Sequence, residues 1–248
     1  MLLNNKIAII TGATRGIGRA IAEEFAKNGA LLILNGTNEK LLNDLEEQFV
    51  LINKNHTIVK GDISDPKTAE NLINIAMHLH GRVDILVNNA GINMHETTEK
   101  MSLTNWQKVL DVNLNGTLCT CKAVMPIMKK QRSGKIINIS SRAAKHPKIS
   151  TSPSYGASKA AIIYLTRHLA AELGEYGINV NVVCPGPIET DMIKIWSDAY
   201  RKEVLSLIPL KRYGKPEEVA HTVVFLASNL SDFITGETVN VNGGRSMD

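Results

Sequence analysis

Lys6-Ile7-Ala8-Ile9-Ile10-Thr11-Gly12-Ala13-Thr14-Arg15-Gly16-Ile17-Gly18 is the stretch whose reading decides the fold. It begins as a short, unbroken apolar run, the pattern of a strand buried on both faces. Gly12 stops the run, and from Ile17 apolar residues recur at helical spacing (Ala20, Ile21, Phe25) until Asn28-Gly29. A strand that turns through glycines into a helix lets backbone approach an anionic ligand. The free N–H groups and dipole of the helix start then favour the negative charge. The spacing is Gly-x-x-x-Gly-x-Gly, and its placement after the first strand points to dinucleotide binding. A tight turn needing positive φ is the plainer account of any one of these glycines.

Outward from this unit the same alternation continues. Leu31–Leu34 reads as a second buried strand, Glu39 to Asn53 as a helix, and Thr57–Lys60 as a third strand. Asp65-Pro66 supplies an N-cap and a first-turn proline for a helix to about His80. Val83–Val87 is a fourth strand, and a longer helix spans roughly Thr104 to Lys130. Further strands end at Ser140, at Val183 and at Val241, and Pro216 opens a helix to about Ser228. Such a pattern implies parallel strands with right-handed helical crossovers on both faces. No linker or repeat divides the chain. One α/β Rossmann domain is expected over residues 1–248, with an irregular, substrate-covering segment at about 188–213.

Composition bounds the function classes. The 248 residues are 44% hydrophobic and 21% charged, ordinary for a folded water-facing domain. A formal charge of +4 gives no argument for nucleic acid. No apolar run reaches the roughly 18 residues of a membrane span. The N-terminus leads into a strand, which fits a cytoplasmic protein, as do three sparse cysteines, Cys119, Cys121 and Cys184. Seven scattered histidines without zincin spacing give no reason to expect a metal.

Two groups of residues carry chemistry. Near the end of the second strand, Asn35-Gly36-Thr37-Asn38 offers no carboxylate for an adenosine ribose before Glu39. Thr14, Arg15 and Thr37 are suited instead to a 2′-phosphate, which favours NADP(H) over NAD. Asp62-Ile63 follows the third strand, where the adenine edge would lie, and Asn88-Asn89-Ala90-Gly91 ends the fourth with small residues and a pair of amides. The second group is Ser141, Tyr155 and Lys159. Tyr155 and Lys159, four apart on a helix, share one face. A phenol titrates near ~10, and an adjacent ammonium is expected to lower that value towards a useful acid–base range. Tyr-x-x-x-Lys is common by chance; its company gives it weight.

Taken together, Thr11-Gly12-x-x-x-Gly16-x-Gly18, Asn88-Asn-Ala-Gly91, Asn113, Ser141, Tyr155-x-x-x-Lys159 and Pro185-Gly186 resemble the short-chain dehydrogenase/reductase family over nearly the whole chain. The resemblance implies a seven-stranded parallel sheet. It also implies that Asn113 holds a water in a proton relay, Ser141 steadies a carbonyl oxygen and Tyr155 is the acid/base. Lys159 would hold the nicotinamide ribose, and Pro185, Gly186, Ile188 and Thr190 the nicotinamide half. The serine-to-tyrosine interval is fourteen positions, which leaves Ser140 as an alternative to Ser141.

Within the family the chain is most similar to the 3-oxoacyl-[acyl-carrier-protein] reductases. That implies NADPH-dependent reduction of an acyl thioester on acyl carrier protein in fatty-acid synthesis, by a homotetramer. Arg132 matches a carrier-meeting position, whereas a second such position holds Glu175-Tyr176; Arg142, Lys145, His146 and Lys148 either compensate or mark another substrate. Apolar residues such as Met125, Ile162, Leu165 and Leu169 are either surplus apolar surface or ordinary core, and the resemblance implies that their helices pair between subunits; Trp196 and Met192 suggest an apolar acyl site. The alternatives are a ketoreductase or alcohol dehydrogenase for a polyol, steroid or hydroxy acid, and a dinucleotide-binding scaffold without activity.

Overall fold

The buried runs form one sheet. In the computed structural model, residues 1–52, 55–147, 151–194 and 196–247 are described. Lys148 and the side chain of Met192 lie outside the described residues. The strands are β1 (Ile7–Ile10), β2 (Leu31–Gly36), β3 (His56–Lys60), β4 (Ile85–Asn88), β5 (Gly134–Ile139), β6 (Ile178–Pro185) and β7 (Thr238–Val241). Their order is β3-β2-β1-β4-β5-β6-β7, and every pairing is parallel. The order reverses between β1 and β4, so a crevice opens there beyond the carboxyl ends of the strands.

Both faces are covered because alternate strand residues are apolar on each side. Ala8, Ile10, Leu32, Leu34 and Val87 pack with Phe25 of α1 (Gly16–Lys27) and with Val219 and Val223 of α9 (Pro216–Ala227). Ile7, Ile9, Ile33 and Leu86 pack on the other face. There they meet Leu72 of α3 (Pro66–His80), Val124 of α5 (Gly116–Gln131) and Leu169 of α6 (Pro153–Leu173). The second helix of the chain, α2, spans Glu39–Ile52. The fourth strand starts later than its apolar pattern because Asp84 and Val83 do polar work. The Asp84 carboxylate accepts from Ile7 N at 2.8 Å, and Val83 N donates to Gln131 Oε1 at 3.0 Å.

The helix expected over Thr104 to Lys130 is interrupted. It comprises α4 (Leu103–Leu110), a π-helical turn at Asp111–Asn115, and then α5. Such turns insert a residue into the ladder and turn side chains off the regular stripe. Here the turn carries Asn113, which is completely buried.

The segment at 188–213 contains two short helices, α7 (Asp191–Lys194) and α8 (Asp198–Ser206). It is pinched at its base by a parallel bridge between Ile188 and Gly214. Glu189 N donates to Gly214 O at 2.8 Å, and Gly214 N to Pro187 O at 3.1 Å.

The expected surplus apolar face differs from the sequence reading. Ile162 and Leu169 are core, and Met125 and Leu165 pack against it, half-buried. Their apolar stripe serves this chain's own sheet. The large apolar side chains exposed on α5 and α6 are Leu118 and Tyr164. Among the described residues, no helix is long and apolar enough to cross a membrane.

Candidate active site

The loop from β1 to α1 is shaped by two glycines. Gly12 has φ +63°, and a Cβ there would lie 2.8 Å from Ala90 Cα. A Cβ on Gly18 would collide with Gly12 O and with the Asn89 amide. Asn89 explains the closeness: its Nδ2 donates to Thr11 O at 3.1 Å and Gly12 O at 3.0 Å. Thr11 Oγ1 in turn accepts from the backbone of Asn89 and Ala90, both at 3.1 Å. The amides at the end of β4 therefore stitch the glycine turn to the sheet. Asn88, its neighbour, points elsewhere and joins a buried polar chain. Thr120 Oγ1 donates to Asn88 Oδ1 at 2.6 Å, Asn88 Nδ2 to Asn138 Oδ1 at 2.9 Å, and Asn138 Nδ2 to Thr166 Oγ1 at 2.9 Å.

Gly18→Ala is expected to abolish dinucleotide binding by pushing this loop off the β4 end. Titration of protein fluorescence with NADPH checks it; unchanged affinity would show that the loop does not form the cradle.

A cleft of about 660 Å³ runs from this loop past the ends of β4, β5 and β6. Gly12, Thr14, Arg15, Gly16, Ile17, Gly18, Thr37, Asp62, Ile63, Asn89, Ala90 and Gly91 line one part. Ser141, Tyr155, Lys159, Pro185, Gly186, Ile188 and Thr190 line another. A glycine cradle with no room for Cβ atoms and an elongated cleft beyond it fit a nicotinamide dinucleotide.

The adenosine end is distinctive. Position 36 has no room for a side chain, since a Cβ would lie 2.5 Å from Thr14 Cγ2. The nearest carboxylate, Glu39, is engaged with Lys60 at 2.7 Å. Arg15 and Thr37 are exposed on the cleft wall, and Arg15 makes no ion pair among the described residues. Asn35 turns inward and donates to Val59 O and Gly61 O. Asp62 is exposed at the cleft, with Oδ1 accepting from Ser64 N and Ser64 Oγ.

The helix bearing Tyr155 starts as its sequence dictates. Ser152 caps it, accepting from Tyr155 N at 3.3 Å, and Pro153 fills the first position. Tyr155 therefore sits in the first turn, with Lys159 one turn further along the same face. Lys159 is buried, and its Nζ lies 5.7 Å from the Tyr155 ring centroid while donating to Ile139 O at 2.7 Å.

Ser141 follows β5 and is half-buried in the cleft that Tyr155 also lines, its Oγ accepting from Ala143 N at 3.1 Å. Ser140 is buried and its hydroxyl donates to Lys159 O at 2.7 Å, so it braces the helix. That difference separates the two serines in favour of Ser141.

The electrostatics differ from expectation. Burial raises the Tyr155 pKa above the ordinary phenol value, and the Ser141 hydrogen bond offsets this only in part. Burial also lowers Lys159 to about 8. Helical spacing predicts proximity of the two groups; it does not carry the desolvation that favours the neutral form of each. Cys184, buried beside them at the end of β6, is held up by burial as well.

Asn113 does not line the cleft. Its Oδ1 accepts from Ile92 N at 2.8 Å, and its Nδ2 donates to Ile92 O at 3.0 Å and Ser158 Oγ at 3.0 Å. Three protein contacts therefore fix this side chain. It meets Lys159 beneath Gly91, at which a Cβ would lie 3.3 Å from both Asn113 Oδ1 and Lys159 Nζ.

Other residues of the site were not picked out by sequence. Ser152 Oγ donates to Asn93 Oδ1 at 3.0 Å, tying the start of α6 to the loop after β4; the Ser-Pro cap was a usable signal. Arg245 reaches the cleft from the C-terminal turn, with no local signal at all. Of the basic loop, Arg142 turns into the cleft, and Lys145 Nζ donates to Asn240 Oδ1 at 3.3 Å. Arg132 is exposed, donates to Glu175 O at 2.7 Å, and with Lys129 flanks the Tyr176 ring.

Comparison with known proteins agrees with this geometry. The family described as enoyl-(acyl carrier protein) reductase matches residues 12–246. The chain is 41% identical over 246 residues to the 3-oxoacyl-[acyl-carrier-protein] reductase of Aquifex aeolicus, covering 98% of each. It is 40% identical over 247 residues to that of Escherichia coli, covering 100% of each. The crystal structure of the 3-oxoacyl-[acyl-carrier protein] reductase from Brucella melitensis is similar with a TM-score of 0.94 at 37% identity, over 100% of this chain and 93% of that one. A second structure of such a reductase from that organism, with bound NAD, is similar with a TM-score of 0.92 at 37% identity, with the same coverage.

Proposed function

The chain belongs to the short-chain dehydrogenase/reductase family, and from that membership we propose that it reduces a 3-oxoacyl thioester, carried on acyl carrier protein, to the 3-hydroxyacyl form with NADPH. The observation that carries this reading is that Ser141, Tyr155 and a buried Lys159 line the same cleft as the glycine cradle. Two hydroxyl side chains in one cleft suit the oxygen of a ketone.

When bound, a nicotinamide dinucleotide would supply hydride to the carbonyl carbon. Tyr155, kept as the neutral phenol by burial, donates its proton to the oxygen as negative charge develops there. Ser141 hydrogen-bonds the same oxygen. Lys159, with its pKa lowered to about 8, exchanges protons readily near neutrality and holds the ribose of the cofactor. Asn113 positions the Ile92 backbone and Ser158, and through them the first turns of α6.

NADPH is favoured over NADH by the crowding at Gly36, the engagement of Glu39 with Lys60, and the free cation of Arg15. The acyl chain lies under segment 188–213, near Trp196, and the carrier meets Arg132 and Lys129. Homotetramer assembly in the cytoplasm completes the reading. Its support is the apolar exposure of Leu118 and Tyr164, with Leu230 and Phe233 near the chain end.

The test is oxidation of NADPH, and separately NADH, with acetoacetyl-acyl carrier protein. Turnover is expected with a clear preference for NADPH, and Arg15→Ala should weaken NADPH by roughly tenfold or more in KM while leaving NADH nearly unchanged. No consumption of either cofactor would refute the reading; equal use of both would remove the NADP assignment alone.

A further inference from the structure

Two arginines line the cleft without an ion pair among the described residues, although Asp191 lines it too and Glu203 acts on Arg245 from a distance. Arg142 follows Ser141 directly, and Arg245 comes from the turn after β7. Arg142 Nε donates to Ser246 Oγ at 2.7 Å, which ties the two segments together across 104 positions. Arg245 Nε is buried and has no hydrogen-bond partner. Among the described residues neither guanidinium forms an ion pair. Burial disfavours the charge of both, and Arg245 adds repulsion on Arg142. Tyr200, Tyr213 and Glu203 offset this for Arg245 without an ion-pair contact. Half-buried, mutually repelling cations with open donor forks are unfavourable until an anion accepts from them.

The dinucleotide does not supply that anion. Its phosphates belong at the glycine loop after β1, and the 2′-phosphate site lies further out, beyond β2. Arg142 follows β5 and Arg245 follows β7, which is four strands from β1 in the sheet order. At ~4.8 Å per strand, β5 lies about 10 Å and β7 about 19 Å from β1. The arginines belong to the half of the cleft that holds Ser141, Tyr155 and Trp196.

We propose that Arg142 and Arg245 form an anion subsite for the second substrate, and that the preferred ketone carries a carboxylate at the far end of its acyl chain. This deepens the reductase reading and rests on it. The planar forks donate to a carboxylate in a bidentate manner, and the ketone is thereby held with its oxygen at Tyr155.

The test compares two thioesters of N-acetylcysteamine, 3-oxohexanoyl and 3-oxoadipyl, which differ in ending on methyl or carboxylate. With the full-length protein and NADPH, kcat/KM is expected to favour the carboxylate by roughly ten- to hundredfold. That ratio should fall towards one in Arg142→Leu and in Arg245→Met. A measurement without turnover accompanies it: glutarate should raise the melting temperature of the parent protein and not of the variants.

Reduction of the methyl substrate with no preference and no glutarate effect overturns the subsite and leaves ketone reduction standing. Glutarate stabilisation with neither thioester reduced keeps the subsite and refutes the reductase reading. Absence of both effects overturns both. If the arginine variants lose rate only with carrier-bound or phosphopantetheine thioesters, the arginines serve the carrier arm and the carboxylate subsite is wrong.

Discussion

Tyr155→Phe is expected to lower kcat by roughly 10²–10⁴ while leaving NADPH affinity within a few-fold of the parent. The hydroxyl is the atom removed, and Ser141 is the partner it leaves. The fold around it should persist. Ser152 caps the helix through the backbone N–H of Tyr155, and Pro153 and Ser154 are unchanged. Stopped-flow NADPH oxidation and a fluorescence titration on the same preparation separate chemistry from binding. A variant with near-parental turnover would remove Tyr155 from the proton transfer.

Lys159→Met should have the second large effect, and in two directions. Activity is expected to collapse, because the proposed reading gives this charge the cofactor ribose and the resupply of Tyr155's proton. Stability should respond to pH in a defined way. An unfolded lysine titrates near 10.5, and burial lowers the folded value to about 8. Between those pH values the unfolded chain holds a proton that the folded chain has released. Rising pH therefore favours the folded parent across that window. Below pH 8 the full penalty of the buried charge is present, worth about 3 kcal/mol; above 10.5 it has vanished. Methionine carries no such penalty at any pH. Urea denaturation at pH 7 and pH 10.5 should show the parent gaining on the variant by about 3 kcal/mol between the two. Parallel pH profiles would mean that Lys159 keeps its ordinary pKa and is solvated in the folded protein.

The parts of the site that were legible in the sequence are those fixed by local geometry. Gly12 and Gly18 announce a crowded turn because glycine alone fits it, and the Tyr155–Lys159 spacing needs only helical periodicity. The Ser152-Pro153 cap was there to be read in the same way. What could not be read depends on contacts between distant segments. The π turn at Asn113 has no sequence pattern, and it commits that side chain to Ile92 and Ser158. The raised Tyr155 and lowered Lys159 follow from burial, which spacing does not encode. Arg245 joins Arg142 only because β7 returns the chain end to the edge of the cleft.

The pinch between Ile188 and Gly214 has a bearing on how such a chain can diversify. The two ends of the intervening stretch are pinned side by side, and Leu210 N ties it once more to Gly243 O after β7 at 3.2 Å. Changes between these holds, around residues 197–203, are expected to leave the glycine turn and the Tyr155 helix where they are. New substrates can then be reached by rewriting one peripheral lobe on an inherited reductive centre.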